Sequence, residues 1–226
     1  CCAAAMILTA QNSLTGWLIY KYGTEEQRRK YLTPLITGQE LGAFCLTEAD
    51  AGSDAANQQT TAVLEGSEWV LDGSKRFVTN GGLAGIYIVV ARTSGSRGPK
   101  GISIFIVENN TPGLSFGRKE NKMGIRSSQT TEVILQNCRI PKENLLGKEG
   151  DGFYMAMQNL DGGRISIGGI ALGLAQAALD EAVKYSKERQ QFGKPLAANQ
   201  AIQWMIADMA TELEAARLLV YRAAWL

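Results

Sequence analysis

Between about residues 42 and 140 the chain loses helical periodicity altogether, and this constrains its fold more than any other feature. Apolar, β-branched runs take over: WVLDG at 69–73, GIYIVVA at 85–91, GISIFIVE at 101–108 and TEVILQNCRI at 131–140. Turn clusters such as SGSRGPKG at 94–101 and NNTPG at 109–113 separate them. With no helical pattern between consecutive runs, no parallel crossover connection is available. The strands are therefore expected to be mostly antiparallel and to form a barrel or sandwich.

Helical signals flank this region. Residues 3–22 and 24–37 read as helices: Gly23 closes the first, Thr24 caps the second, Glu25 and Glu26 fill its first turn, and Pro34 falls near its end. After GKEGDG at 147–152, periodicity returns in a long segment, 153–188, with Ile170, Leu174, Ala178 and Tyr185 on one face. A last helix carries Ile202, Ile206, Met209, Leu213, Ala216 and Val220 at alternating spacings of four and three, the period of a bundle seam. Two long helices joined by a short connection predict an antiparallel pair, half of a four-helix bundle. The expected class is α+β and multidomain. The divisions are 1–40, the end of a helical domain; 41–146, a β-domain; and 147–226, the first part of a helical bundle domain.

Composition narrows the chemistry. Lys and Arg total 23 against 22 Asp and Glu, so no global field favours nucleic acid or an anionic membrane. The chain has no histidine, which excludes Ser-His-Asp and Cys-His catalysis and argues against zinc. Any general base must be a carboxylate, Lys, Tyr or Cys. Cys1, Cys2, Cys45 and Cys138 show no CxxC spacing, which points to a reducing compartment. No apolar run is long enough to span a bilayer, and no signal peptide opens the chain. Helix-like sequence at both ends, without an initial Met, reads as an internal fragment cut through two helices.

Four segments carry more functional groups than their local structure requires. CLTEADAGSD at 45–54 compresses two hydroxyls, acidic side chains and a glycine into one turn; Glu48 and Asp54 can each hold such a loop closed through backbone N–H groups. SKRFVTNGG at 74–82 ends a strand in a glycine pair, which by itself reads as a hairpin turn. LDGGRI at 160–165 sets Asp161 and Arg164 at i,i+3, and its two helical glycines cost about 1 kcal/mol each unless something approaches closely. ERQQFGKPLAANQ at 188–200 is a helix connection that leaves Arg189, Phe192 and Gln200 unexplained.

Together, in this order, the four segments resemble the acyl-CoA dehydrogenase family over the whole chain. The resemblance implies FAD as cofactor. Backbone groups of Phe44, Cys45, Leu46 and Thr47, with the Thr47 hydroxyl, would meet the pyrimidine edge of the flavin. Ser53 would lie near the pyrophosphate and also touch acyl-CoA. Phe77 would pack on the flavin, with Val78 beside it, and Thr79 would present its hydroxyl to the reactive nitrogen. Asp161 and Arg164 would contact the acyl-CoA. Arg189, Phe192 and Gln200 would reach the FAD of a neighbouring protomer, so a homo-oligomer, a dimer of dimers, is implied.

Three positions depart from the family pattern: Phe77 where Trp is usual, Ala49–Asp50 where Pro-Gly is common, and Asn57 where a small residue is usual. Glu48 is expected to be a structural carboxylate and not the base. Gly163 stands where some subfamilies carry the catalytic glutamate, so that base is expected beyond Leu226 and no catalytic residue is assigned within the chain. The implied reaction is FAD-dependent α,β-dehydrogenation of a short-chain acyl-CoA, with electrons passed to an electron-transferring flavoprotein, in a bacterial cytoplasm or mitochondrial matrix. LDGGRI followed by ALGLAQ resembles the short-chain and short-branched-chain, butyryl-CoA type, members. Alternatives are a flavin oxidase or monooxygenase on the same scaffold, or a non-catalytic relative that binds acyl-CoA or FAD.

Overall fold

A computed structural model of the chain describes residues 1–95 and 98–226. Ser96 and Arg97, inside the turn cluster at 94–101, lie outside the described residues. The chain divides into two compact units, one built on residues 3–163 and the other on 164–226.

The first unit opens with α1 (2–22) and α2 (25–36). The capping expectation holds in full. Thr24 Oγ1 accepts from Gln27 N at 3.2 Å, while Gln27 Oε1 accepts from Thr24 N at 3.0 Å, a reciprocal capping box. Neither helix is uniform: Ala10–Gly16 and Arg28–Leu32 widen into π turns.

The strands are β1 (Gly42–Cys45), β2 (Thr61–Glu65), β3 (Glu68–Thr79), β4 (Ile86–Arg92), β5 (Ile102–Glu108), β6 (Leu114–Phe116), β7 (Thr130–Pro141) and β8 (Leu145–Leu146). They form one sheet in the order β6-β7-β3-β2-β4-β5-β8, with β1 added on β4. Most pairs are antiparallel as expected, but β1 runs parallel to β4. The sheet does not close into a barrel, which corrects one form of the expectation. Its edge strands, β6 and β8, are three and two residues long and do not pair with one another.

The sheet curls sharply instead. Trp69 on β3 and Phe105 on β5 are three strands apart, about 14 Å in a flat sheet, yet their ring centroids lie 5.1 Å apart. Tyr87 on β4 and Phe116 on β6 meet at 5.4 Å across four strand steps. Aromatic burial draws the two wings over one core, while the short edges leave no ladder to close.

Strand β4 is buried on both faces. Tyr87, Val89 and Ala91 enter the core between the wings; Ile86, Ile88 and Val90 enter a second core with Leu18 and Ile19 of α1 and Tyr31 and Leu35 of α2. This is why GIYIVVA reads as an unbroken apolar run and not as an alternation. One edge of β4 pairs with β5 along its whole length. Its other edge is shared: β1 occupies Ile86–Val89, and β2 meets it only at Thr61↔Arg92. The loop 46–60 leaves and rejoins the sheet at that division.

In the second unit, the rest of α3 (Gly152–Glu188) packs antiparallel against α4 (Gln200–Trp225), the two joined through a small hairpin of β9 (Gln190–Gln191) and β10 (Lys194–Pro195). A groove of about 530 Å³ between the helices is lined by Leu172, Ala175, Leu179, Met209, Leu213 and Val220. The α4 side follows the predicted seam. On α3 the predicted face is met only in part: Ala178 lines the groove, but Leu174 and Tyr185 are half or more exposed, and the packed face runs through Gly168, Leu172, Ala175 and Leu179. A Cβ on Gly168 would sit 3.0 Å from Val220 Cγ2, so the small residues, not the large ones, set which face approaches α4.

Candidate functional site

Loop 46–60 is organised around a carboxylate. Glu48 is 6% exposed; its Oε2 accepts from Gln59 N at 2.6 Å, and its Oε1 from Thr60 N at 3.1 Å and Lys75 Nζ at 2.6 Å. Lys75, fully buried on β3, donates further to Gln58 Oε1 at 2.5 Å and to the Leu46 carbonyl at 3.3 Å. An ammonium has three donors, and all three are used. Burial raises the Glu48 pKa, but Lys75 and the two amides outweigh it and hold the carboxyl below its usual range. Burial pulls the Lys75 ammonium down to about 8 against the pull of Glu48, so both ends carry charge at neutral pH. The Glu48 carboxylate thus ties the loop closed through two backbone N–H groups and Lys75. Asp54 is exposed, and its carboxylate closes nothing among the described residues.

The predicted contacts within this loop differ in exposure. Phe44, Leu46 and Thr47 are half-buried and Ser53 is exposed. Cys45 is fully buried, and burial pushes its thiol up to about 12, so it can present only backbone. The two departures from the family pattern in this loop meet each other: Asn57 Nδ2 donates to the Asp50 carbonyl at 3.1 Å. Across from Glu48, Gly73 adopts φ +146°, and a Cβ there would sit 2.5 Å from Thr60 Oγ1.

The strand end at 74–82 is not a hairpin turn, because β3 and β4 are not neighbours in the sheet. Between Lys75↔Val133 and Val78↔Thr131, β3 sets two residues, Arg76 and Phe77, against one of β7, Glu132, a bulge. Arg76 N, released from the ladder, donates to the Thr47 carbonyl at 2.7 Å and ties the bulge to the loop. Phe77 takes φ +55°, and the residue is 66% exposed. A bulky residue in left-handed backbone is strained, so the bulge turns an aromatic face to solvent at a cost. Val78 returns to the core, and Thr79, half-buried, closes the ladder opposite Thr130. Asn80 Nδ2 then reaches the Gly42 carbonyl at 2.9 Å, joining this end to the start of β1.

Asp161 and Arg164 are both exposed on α3. Of the glycine pair between them, Gly163 is the one closely approached: it is buried, and a Cβ there would sit 3.0 Å from Leu14 Cδ2. In the second unit, Arg189, Phe192 and Gln200 are all exposed. Phe192 and Gly193 form the two-residue loop of the β9–β10 hairpin at φ +52° and +75°, a type I′ turn. Gly suits its position; Phe192 does not, and its ring is wholly exposed at the tip.

Sequence reasoning missed Lys75, Gln58 and Arg92. Arg92 braces the far side of the loop through the Gln58 and Ala56 carbonyls, at 3.0 and 2.8 Å. A signal for Lys75 was available: strand alternation puts it on the inward face with Leu71, where a cation requires a buried partner.

Residues 1–39, 43–138 and 150–226 match the models of the acyl-CoA dehydrogenase N-terminal, middle and C-terminal domains. The whole chain is 51% identical to a short-chain specific acyl-CoA dehydrogenase of Clostridium acetobutylicum, of which it covers 60%. The solved butyryl-CoA dehydrogenase of Megasphaera elsdenii superimposes with a TM-score of 0.96 at 52% identity, over 98% of this chain and 58% of that one. A chain in a structure described as the electron transferring flavoprotein of Acidaminococcus fermentans gives 0.96 at 56%, over 98% and 58%. The chain thus spans about three-fifths of the length of these relatives. On its domain matches and on its identity to these relatives, it belongs to the acyl-CoA dehydrogenase family.

Proposed function

We propose that this chain is the flavin-holding portion of a short-chain acyl-CoA dehydrogenase, which takes a proton from the α-carbon and a hydride from the β-carbon of an acyl-CoA to leave the α,β-double bond. The observation that carries the reading is the strained, solvent-facing Phe77 on a bulge whose Arg76 N–H grips the Thr47 carbonyl. An exposed aromatic face and a loop with free backbone groups, locked together, fit the face and edge of a planar heterocycle. Bound FAD would supply the hydride acceptor.

In this reading Phe44 to Thr47 and Ser53 meet the cofactor, Phe77 and Val78 flank it, and Thr79 offers a hydroxyl where negative charge develops. Asp161, Arg164 and Ser53 meet the acyl-CoA. Arg189, Phe192 and Gln200 project to the FAD of a second protomer in a dimer of dimers; their shared exposure supports this. The glutamate base is assigned in this reading to sequence after Leu226: among the described residues the buried charges, Glu48 and Lys75, pair with each other, and Gly163 carries no side chain. Electrons pass to an electron-transferring flavoprotein, in a bacterial cytoplasm or mitochondrial matrix. Three domains, at 1–40, 41–146 and 147–226, are supported by the three domain models matched.

Anaerobic titration of the FAD-loaded, full-length protein with butyryl-CoA tests the activity. Bleaching of the flavin, with slow return on adding oxygen, is expected. No bleaching with acyl-CoA of any length would establish a non-catalytic binder, and fast reoxidation by oxygen an oxidase.

A further inference from the structure

The Glu48–Lys75 pair sits in the interior with no role in proton or hydride transfer. Replacing a buried ion pair by apolar groups of similar shape is often neutral for stability, so stability alone does not account for it. Its connections point elsewhere. Two of the Lys75 donors stay within the charged cluster, on Glu48 and Gln58; the third leaves it for the Leu46 carbonyl. The Leu46–Thr47 peptide bond is trans, as every peptide bond in the described residues is. In a trans peptide the C=O of one residue and the N–H of the next point in opposite directions. Drawing the Leu46 oxygen inward onto Lys75 therefore drives the Thr47 N–H outward. That N–H donates to nothing among the described residues, while the Thr47 carbonyl is held from the other side by Arg76 N.

We propose that Glu48 and Lys75 are positioning residues that fix the orientation of the Leu46–Thr47 peptide, so that the Thr47 N–H is presented, before any ligand arrives, to an acceptor atom on the edge of the bound flavin ring. The pair acts through the backbone and touches no reacting atom. Glu48 also fixes the other end of the loop through Gln59 N and Thr60 N, so one carboxylate sets the span between residues 46 and 60. This inference rests on the flavin reading above.

The test compares wild-type full-length protein with the double variant Lys75→Met, Glu48→Gln, which removes both charges and keeps the side-chain volumes. Three quantities are read: thermal midpoint of the apoprotein, FAD dissociation constant, and visible absorption spectrum of the bound flavin. The double variant is expected to keep its midpoint within a few degrees and to bind FAD about ten- to a hundredfold more weakly, with a shifted flavin band. A folded double variant with unchanged FAD affinity and spectrum overturns the proposal. Failure of the wild type itself to bind FAD overturns the flavin reading instead. If the double variant does not fold, a crystal structure of the FAD-loaded wild type decides. Thr47 N–H on the flavin with the Leu46 oxygen on Lys75 supports the proposal; a Leu46–Thr47 peptide turned the other way refutes it.

Discussion

At the scale of single residues, the chain places its charges by the company they find. Glu48 is ionised in the interior because three donors, Gln59 N, Thr60 N and Lys75 Nζ, surround it; removing one member of such a pair strands the other. Lys75→Met alone is expected to cost about 3–5 kcal/mol, more than the double variant, because it leaves Glu48 buried and unpaired. The pair also shapes acid stability. The Glu48 pKa is lowered in the folded state, so its contribution is complete above the ordinary carboxylate value of 4.5 and disappears as pH falls through the folded value. Urea unfolding between pH 6 and pH 3 checks this: the wild type should lose stability steadily below about pH 4.5, and the double variant should show a shallower acid limb. The Asn57–Asp50 contact has the same character on a smaller scale. Where the family pattern stiffens the loop with Pro-Gly, this chain ties it with a side-chain amide.

Among elements, the hairpin at 190–195 sets two demands against each other. Its type I′ turn suits Asn-Gly, but the chain places Phe192 at the first position. Phe192→Asn should relieve left-handed strain and stabilise the apoprotein by up to about 1 kcal/mol, read as a higher thermal midpoint. The same change should reduce the further rise on adding FAD, if the ring meets the cofactor of a second protomer. Opposite signs in one scan distinguish a binding ring from an accidental one. How much of such detail was legible beforehand varies with range. The Thr24 cap and the α4 seam were readable because both depend on residues three and four apart. The α3 phase is not legible at Leu174 and Tyr185, because the glycine and alanines that permit close approach carry little hydrophobic signal. The β3 bulge was invisible, because its cause is register against β7, more than fifty residues away.

For the molecule as a whole, the order of helix, strand and helix was plain in the sequence, and so was the antiparallel majority. Closure was not, because it depends on whether two short edge strands meet. The Glu48–Lys75 pair joins residues 27 apart, and only a register that turns Lys75 inward reveals it. Stability should follow the two cores that share β4. Ile88→Ala and Val89→Ala face opposite sides of one strand, and each should cost about 1–5 kcal/mol in urea unfolding, more for the larger Ile. Val63→Ala, on the exposed side of β2, should change stability by less than about 0.5 kcal/mol. Because loop 46–60 departs and returns along one edge of that doubly gripped strand, its ligand-facing atoms take their positions from a strand packed on both faces and paired on both edges. Breathing at the short outer strands, β6 and β8, would be spent before reaching them. β4 would then serve as a fixed datum against which a planar ring is held.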